Sequence, residues 1–222
     1  GIYTVRIIAR DSSGNINSDE LANFSVSDVS APVITVLGCS PDPGVISQPV
    51  MCNATVSDDV EIDTVNASII YPNNTAEPQT IEVSGTAYNF TFLSTLVPGE
   101  YNVSWQSNDT SNNINLGAGN FTINDETAPA VTALLPSNSS EYNVSDLIEI
   151  SANVTDDVAV STVQANITYP NNTVEQLTLS SSVGSKYNGS FTAPGSVGIY
   201  TVRIIARDSS GNINSDELAN FS

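Results

Sequence analysis

The side chains with chemistry to offer are carboxylates, and they recur at matching places along the chain. SDVSAP at 27–32 carries Asp28, and NDETAP at 124–129 carries Asp125 and Glu126. Two further loops carry Asp58–Asp59 and Asp156–Asp157, and two more carry Asp109 and Asp208, with Asp11 in a third copy. In a seven-strand sandwich the start of the first strand, the second-to-third loop and the sixth-to-seventh loop lie at one end. That topology gathers Asp28, Asp58, Asp59 and Asp109 at one domain junction, and Asp125, Glu126, Asp156, Asp157 and Asp208 at the next. Hard oxygen donors in such number suit Ca²⁺, which takes about six to eight oxygens. A bound ion would offset the mutual repulsion and stiffen the junction. The same residue types also shape Asx turns with no ion at all. DSSGNINSDE is no EF-hand loop, because its glycine is misplaced and the bidentate Glu is missing.

Asparagine offers a second chemistry. N-x-S/T triplets begin at Asn23, Asn53, Asn66, Asn73, Asn89, Asn102, Asn108, Asn120, Asn138, Asn143, Asn153, Asn166, Asn171, Asn188 and Asn220. In a strand, positions i and i+2 share a face. The Asn and the hydroxyl therefore face outward, and the middle residue faces in: Ala54, Ala67, Phe90, Val103, Phe121, Val154, Ile167. N-linked glycans there would shield strand faces and hinder sideways aggregation. Polar strand faces rich in Asn and Thr also produce sequons with no glycan. The two cysteines, Cys39 and Cys52, end one strand and lie in the next, with a Pro/Gly-rich loop between them. Adjacent antiparallel strands can meet disulfide geometry, and the sequons favour a disulfide over two buried thiols.

Other chemistries are excluded or weak. With no histidine, neither a Ser-His-Asp nor a Cys-His arrangement is available. No Gly-rich phosphate loop follows a strand. Acid pairs such as Asp58–Asp59 could in principle serve glycoside hydrolysis, but their recurrence speaks for turns or metal. The expectation is a protein that is not an enzyme. A net charge of −19 repels nucleic acid and anionic membranes. No apolar run is long enough to insert in a membrane, and no signal peptide is visible.

The elements that must position these groups are strands. Val, Ile, Thr and Ser dominate, and Pro and Gly punctuate the chain at short intervals. Residues 1–25, GIYTVRIIARDSSGNINSDELANFS, reappear unchanged at 198–222, an offset of 197 residues. Inside that period lies a weaker repeat of about half its length. APVITVLG (31–38) answers APAVTALL (128–135), and YNVSWQSNDTSNNIN (101–115) answers YTVRIIARDSSGNIN (200–214). The expected organisation is all-β: an immunoglobulin-like sandwich at 26–124, a second at 125–222, and 1–25 as the last two strands of a neighbouring domain. Strands are expected near 33–37, 50–56, 64–71, 79–84, 87–93, 100–107 and 117–123. Their counterparts are expected near 130–135, 147–154, 163–169, 174–180, 186–192, 199–207 and 216–222. The lone Trp105 falls on a sixth strand, not the third, so the antibody-type core is not expected. An isolated hairpin is marginal in water. Residues 1–25 therefore either continue a covalent neighbour, the simpler arrangement, or complete the sheet of another subunit.

TAP at a domain start, NVTDDV, ANITYPNNT and ARDSSGN together resemble the immunoglobulin-like repeats of archaeal cell-surface and S-layer-associated proteins and of bacterial adhesin stalks. The resemblance covers both repeats and the N-terminal copy. It implies extracellular stalks, filaments or sheaths built from copies of one unit, with calcium at some junctions. The sequon density favours an archaeal glycoprotein. An adhesin binding a cell or polysaccharide is the alternative, with Tyr71, Tyr142, Tyr169 and Trp105 as candidate contact residues; strand packing is the blander role for all four.

Overall fold

A computed structural model describes all residues, 1–222. Every regular element is a strand. The first is a hairpin of β1 (Ile2–Arg10) and β2 (Ile16–Ser25), which pair only with each other.

There follow β3 (Val33–Ser40), β4 (Gly44–Val45), β5 (Val50–Ser57), β6 (Ile62–Ile70), β7 (Ala76–Gln79), β8 (Glu82–Ser84), β9 (Ala87–Phe92), β10 (Gly99–Asp109) and β11 (Ile114–Asn124). They form two sheets, β3-β5-β9-β8 and β4-β11-β10-β6-β7. The expected strand at 79–84 is divided: β7 edges one sheet and β8 the other. Pro78 has no N–H to give a ladder, and it sits where such a residue is tolerated, on an edge strand.

The next group is β12 (Ala130–Leu135), β13 (Leu147–Thr155), β14 (Val160–Thr168), β15 (Val174–Ser181), β16 (Lys186–Thr192), β17 (Tyr200–Asp208), β18 (Ile213–Asn214) and β19 (Leu218–Phe221). Here β15 stays whole. Its first part pairs with β14, and Ser180 and Ser181 pair with β16, so the two faces join into one order, β12-β13-β16-β15-β14-β17-β18, with β19 also on β17. The expected strand at 216–222 is shorter and preceded by a break at 215–217.

The chain falls into two compact units, one of 1–44, 49–94 and 99–122, the other of 45–48, 95–98 and 123–222. Each has its own core, and the cause is period-two patterning. Along β17, Tyr200, Val202, Ile204, Ala206 and Asp208 are buried while the residues between them are not. Along β10, Tyr101, Val103, Trp105, Ser107 and Asp109 do the same. Trp105 is fully buried on this sixth strand, its ring 5.5 Å from that of Phe90. Each large apolar side chain so removed from water contributes about 1.5–3 kcal/mol.

Candidate metal clusters and sequon faces

Turn chemistry brings the carboxylates together. Asp28 accepts the Ser30 amide at 3.0 Å through Oδ1, and Asp125 accepts the Thr127 amide in the same way. Asp58 accepts the Val60 and Glu61 amides through Oδ2, and Asp156 accepts those of Val158 and Ala159 through Oδ1. Each of these four acids caps a turn with one oxygen. The other oxygen of each, Asp28 Oδ2, Asp58 Oδ1, Asp125 Oδ2 and Asp156 Oδ2, is buried and has no hydrogen-bond partner.

The residues that carry those oxygens belong to clusters. Carboxylate oxygens of Asp28, Asp58 and Asp109 lie within 4.8 Å of one another, and so do those of Asp125, Asp156 and Asp157. A buried carboxylate oxygen without a donor is costly, and three carboxylates this close repel one another. A divalent cation relieves both, and an all-oxygen donor set fits Ca²⁺ better than zinc or copper. Asp28, Asp58 and Asp109 would hold it in the first unit, and Asp125, Asp156 and Asp157 in the second.

Asp59, Glu126 and Asp208 lie outside these two groups. Asp59 accepts the Ser30 hydroxyl at 3.2 Å, and Glu126 is exposed. Asp208 is 1% exposed and is engaged by the Gly211 and Asn212 amides and by Asn212 Nδ2. Asp109 has the same surroundings in Ser111 and Asn113, and so has Asp11 in Ser13 and Asn15. Burial pushes the Asp109 and Asp208 carboxyls up, but the donors around them outweigh it and hold both below the usual carboxylate range. The loops also fix the strand starts: Asn115 Nδ2 donates to Pro32 O at 2.7 Å, and Asn214 Nδ2 to Pro129 O at 2.9 Å. Sequence reading missed these asparagines. Their signal was the recurrence of NIN at 113–115 and 212–214.

None of the fifteen sequon asparagines is buried. The seven middle residues, Ala54, Ala67, Phe90, Val103, Phe121, Val154 and Ile167, are at most 3% exposed. Asn73 and Asn171 accept the amides of Thr75 and Thr173, helping to shape the YPNNT turns in which Asn74 and Asn172 take positive φ. Asn138 accepts the Asn220 amide, and Asn188 Nδ2 donates to Glu149. Cys39 and Cys52 are directly opposite on β3 and β5 and are joined by a disulfide.

The four candidate contact residues, Tyr71, Tyr142, Tyr169 and Trp105, each pack against another aromatic ring. Tyr71 packs on Phe92 and Tyr101, Tyr169 on Phe191 and Tyr200, and Tyr142 edge-on against Phe221. The Tyr71 and Tyr169 hydroxyls donate to Glu77 and Glu175. The Glu175 bond and burial push Tyr169 up to about 12.

No family model matches the sequence, and no curated protein matches it. Solved structures do. A tetra-tandem repeat from the extending region of a large adhesion protein aligns with a TM-score of 0.54 at 24% identity; the alignment covers 99% of this chain and 56% of that one. The adhesin InvE of Yersinia pseudotuberculosis aligns at 0.44 and 14% identity over 85% of this chain and 58% of that one. The fibronectin(III)-like modules of Clostridium thermocellum CbhA align at 0.34 and 16% over 85% and 93%. The likeness to the tetra-tandem repeat shows the fold, and the chain is built of tandem immunoglobulin-like β-sandwiches.

Proposed function

We propose that this chain is a structural repeat of an extracellular stalk, filament or sheath on a cell surface, N-glycosylated and stiffened by Ca²⁺. One observation carries the reading: each unit has a carboxylate cluster, and two matching acids in each, Asp28 and Asp58 in one and Asp125 and Asp156 in the other, keep an unpartnered buried oxygen. A spacer needs regular, repeated modules with no unique site, and this chain repeats its site with its fold. The disulfide and the outward asparagines suit an oxidising, secreted setting. The tetra-tandem adhesin repeat, an extending region by its description, supports a stalk. Sequon density supports an archaeal surface glycoprotein. The absence of histidine leaves no Ser-His-Asp or Cys-His arrangement, and a charge of −19 disfavours nucleic-acid binding. No helix is long and apolar enough to cross a membrane.

Two experiments test this. Imaging of the native material should show a regular thread or fringe outside the cell; an intracellular location overturns the reading. Melting in Ca²⁺ and in chelator tests the ion. At a hundredfold excess over Kd, one bound ion stabilises by about 2.7 kcal/mol. That corresponds to roughly 11–22 °C in Tm for a domain of this size. Equal melting curves would remove calcium from the proposal and leave the stalk.

A further inference from the structure

The two units close one side of the sandwich differently. In the second, β14 pairs with β15 from Val163–Leu179 through Thr168–Val174, and Ser180 and Ser181 carry the same strand on to β16. In the first, β6 pairs with β7 only from Ala67–Gln79 through Ile70–Ala76. The chain then crosses at Thr80 and Ile81 to form β8, which pairs with β9 on the other sheet. TVNASII (64–70) matches TVQANIT (162–168), so Val65 and Asn66 answer Val163 and Gln164. Those two face Leu179 and Thr178, whereas Val65 and Asn66 have no strand beside them on that side. Residues of an antiparallel strand turn their N–H and C=O alternately to either neighbour, so one of these two offers both groups to the gap.

The gap is a groove of about 430 Å³. Ile62, Val65, Ile81, Val83 and Tyr88 give it apolar walls, and Asn66 lines it with them. Val163 is 1% exposed beneath its neighbouring strand, whereas Val65 is only half-buried, and Val83 is 62% exposed. Asn66 opens the sequon Asn66-Ala67-Ser68, and the matching Gln164 opens none. The place that has a strand in one unit thus has a sequon in the other. The Asn66 side chain is exposed and makes no hydrogen bond, unlike those of Asn73, Asn120, Asn171 and Asn188.

We propose that Asn66 carries an N-linked glycan whose first sugars lie in this groove and stand in for the missing strand. The inference rests on the glycoprotein reading and adds which site is used and what the sugar does there. The bond forms between Asn66 Nδ2 and the anomeric carbon of a lipid-phosphate-linked oligosaccharide. The carbon–oxygen electron pair leaves with the lipid phosphate, and the amide proton passes to a carboxylate of the transferring enzyme. A groove of this size falls in the range of small-ligand sites, about 300–1,000 Å³. A pyranose supplies both things the groove lacks. Its C–H face packs on Tyr88 and the aliphatic walls, and its hydroxyls pair with the bare N–H and C=O of β6. Charge argues against a strand from a second copy: Asp63 lines the groove, Glu82 sits between Ile81 and Val83, and each copy carries −19. An uncharged sugar meets no such repulsion.

The test uses the full chain, glycosylated in its native host. Peptide mapping by mass spectrometry should find sugar on Asn66. Tyr88 should then resist hydroxyl-radical labelling. Exchange of the groove-side amide of the pair 65–66 should slow by about fivefold, the factor for one hydrogen bond of net ~1 kcal/mol. Ser68→Ala, which removes the sequon and keeps Asn66, should lose this protection, and so should Asn66→Gln. The unmodified chain from a host without N-glycosylation needs no substitution and should lose it too. Asn102→Gln, which removes a sequon on β10, should keep it. Sugar on other sequons with Asn66 bare overturns this inference and leaves the glycoprotein reading; no sugar on any sequon overturns both. Sugar on Asn66 whose loss leaves the labelling and the exchange unchanged is a coat only, and overturns the inference. Protection of Tyr88 in the unmodified chain that grows with concentration means that a second copy fills the groove, and overturns it as well.

Discussion

At the level of single residues, the acidic loops divide into two kinds of carboxylate. Asp109 and Asp208 are satisfied by turn amides and a neighbouring Asn, whereas Asp28, Asp58, Asp125 and Asp156 each keep one oxygen without a donor. The sequence shows the acids and their loops, because topology alone brings those loops to one end. It does not show which oxygen is capped, since that depends on turn geometry a few residues away. The division predicts two outcomes. Asp125→Asn should remove the Ca²⁺-dependent rise in Tm of the second unit and spare that of the first, read by calorimetry with and without chelator. Acid titration should find the satisfied pair. Their folded-state pKa lies below the unfolded value of about 3.9. Their stabilisation is therefore complete above that pH and is lost as pH falls through the depressed folded-state pKa. Asp208→Asn should flatten the acid limb of the second unit's stability curve. The sequons were legible as triplets; that none is buried comes from the structure.

At the level of strands, the alternation of residue types was readable over β10 and β17, where the buried set falls on every second residue. The division of 76–84 into β7 and β8 was not, because it follows from which sheet each half meets, not from the local pattern. The bond between Cys39 and Cys52 ties β3 to β5, and the second unit builds the equivalent pairing of β12 and β13 without one. Its loss should therefore weaken one unit only. Replacing both cysteines by Ser should lower the first unit's stability by about 3 kcal/mol, the scale for a short closed loop. The second unit's transition should stay in place. Trp105→Ala should cost the first unit roughly 3–5 kcal/mol, as for other large aromatic deletions in a core. Denaturant melts followed by far-UV circular dichroism read both changes.

For the whole molecule, twenty-four acids face five bases, and the structure has one ion pair, Lys186 with Glu149 at 2.6 Å. Self-repulsion on this scale keeps chains soluble and makes stability depend on screening and on cations. The sequence made the repeat and its period plain, since identity over 25 residues needs no structure to recognise. The central claim is that the chain consists of two independent sandwich spacers held firm by Ca²⁺. Stretching a single molecule by its ends tests it most directly. The account predicts two separate unfolding events in Ca²⁺, each releasing roughly 30 nm for about 98 residues at full extension, less the loop closed by the disulfide. Chelator should lower both unfolding forces. A single cooperative event, or extension without a force peak in the presence of Ca²⁺, would contradict it.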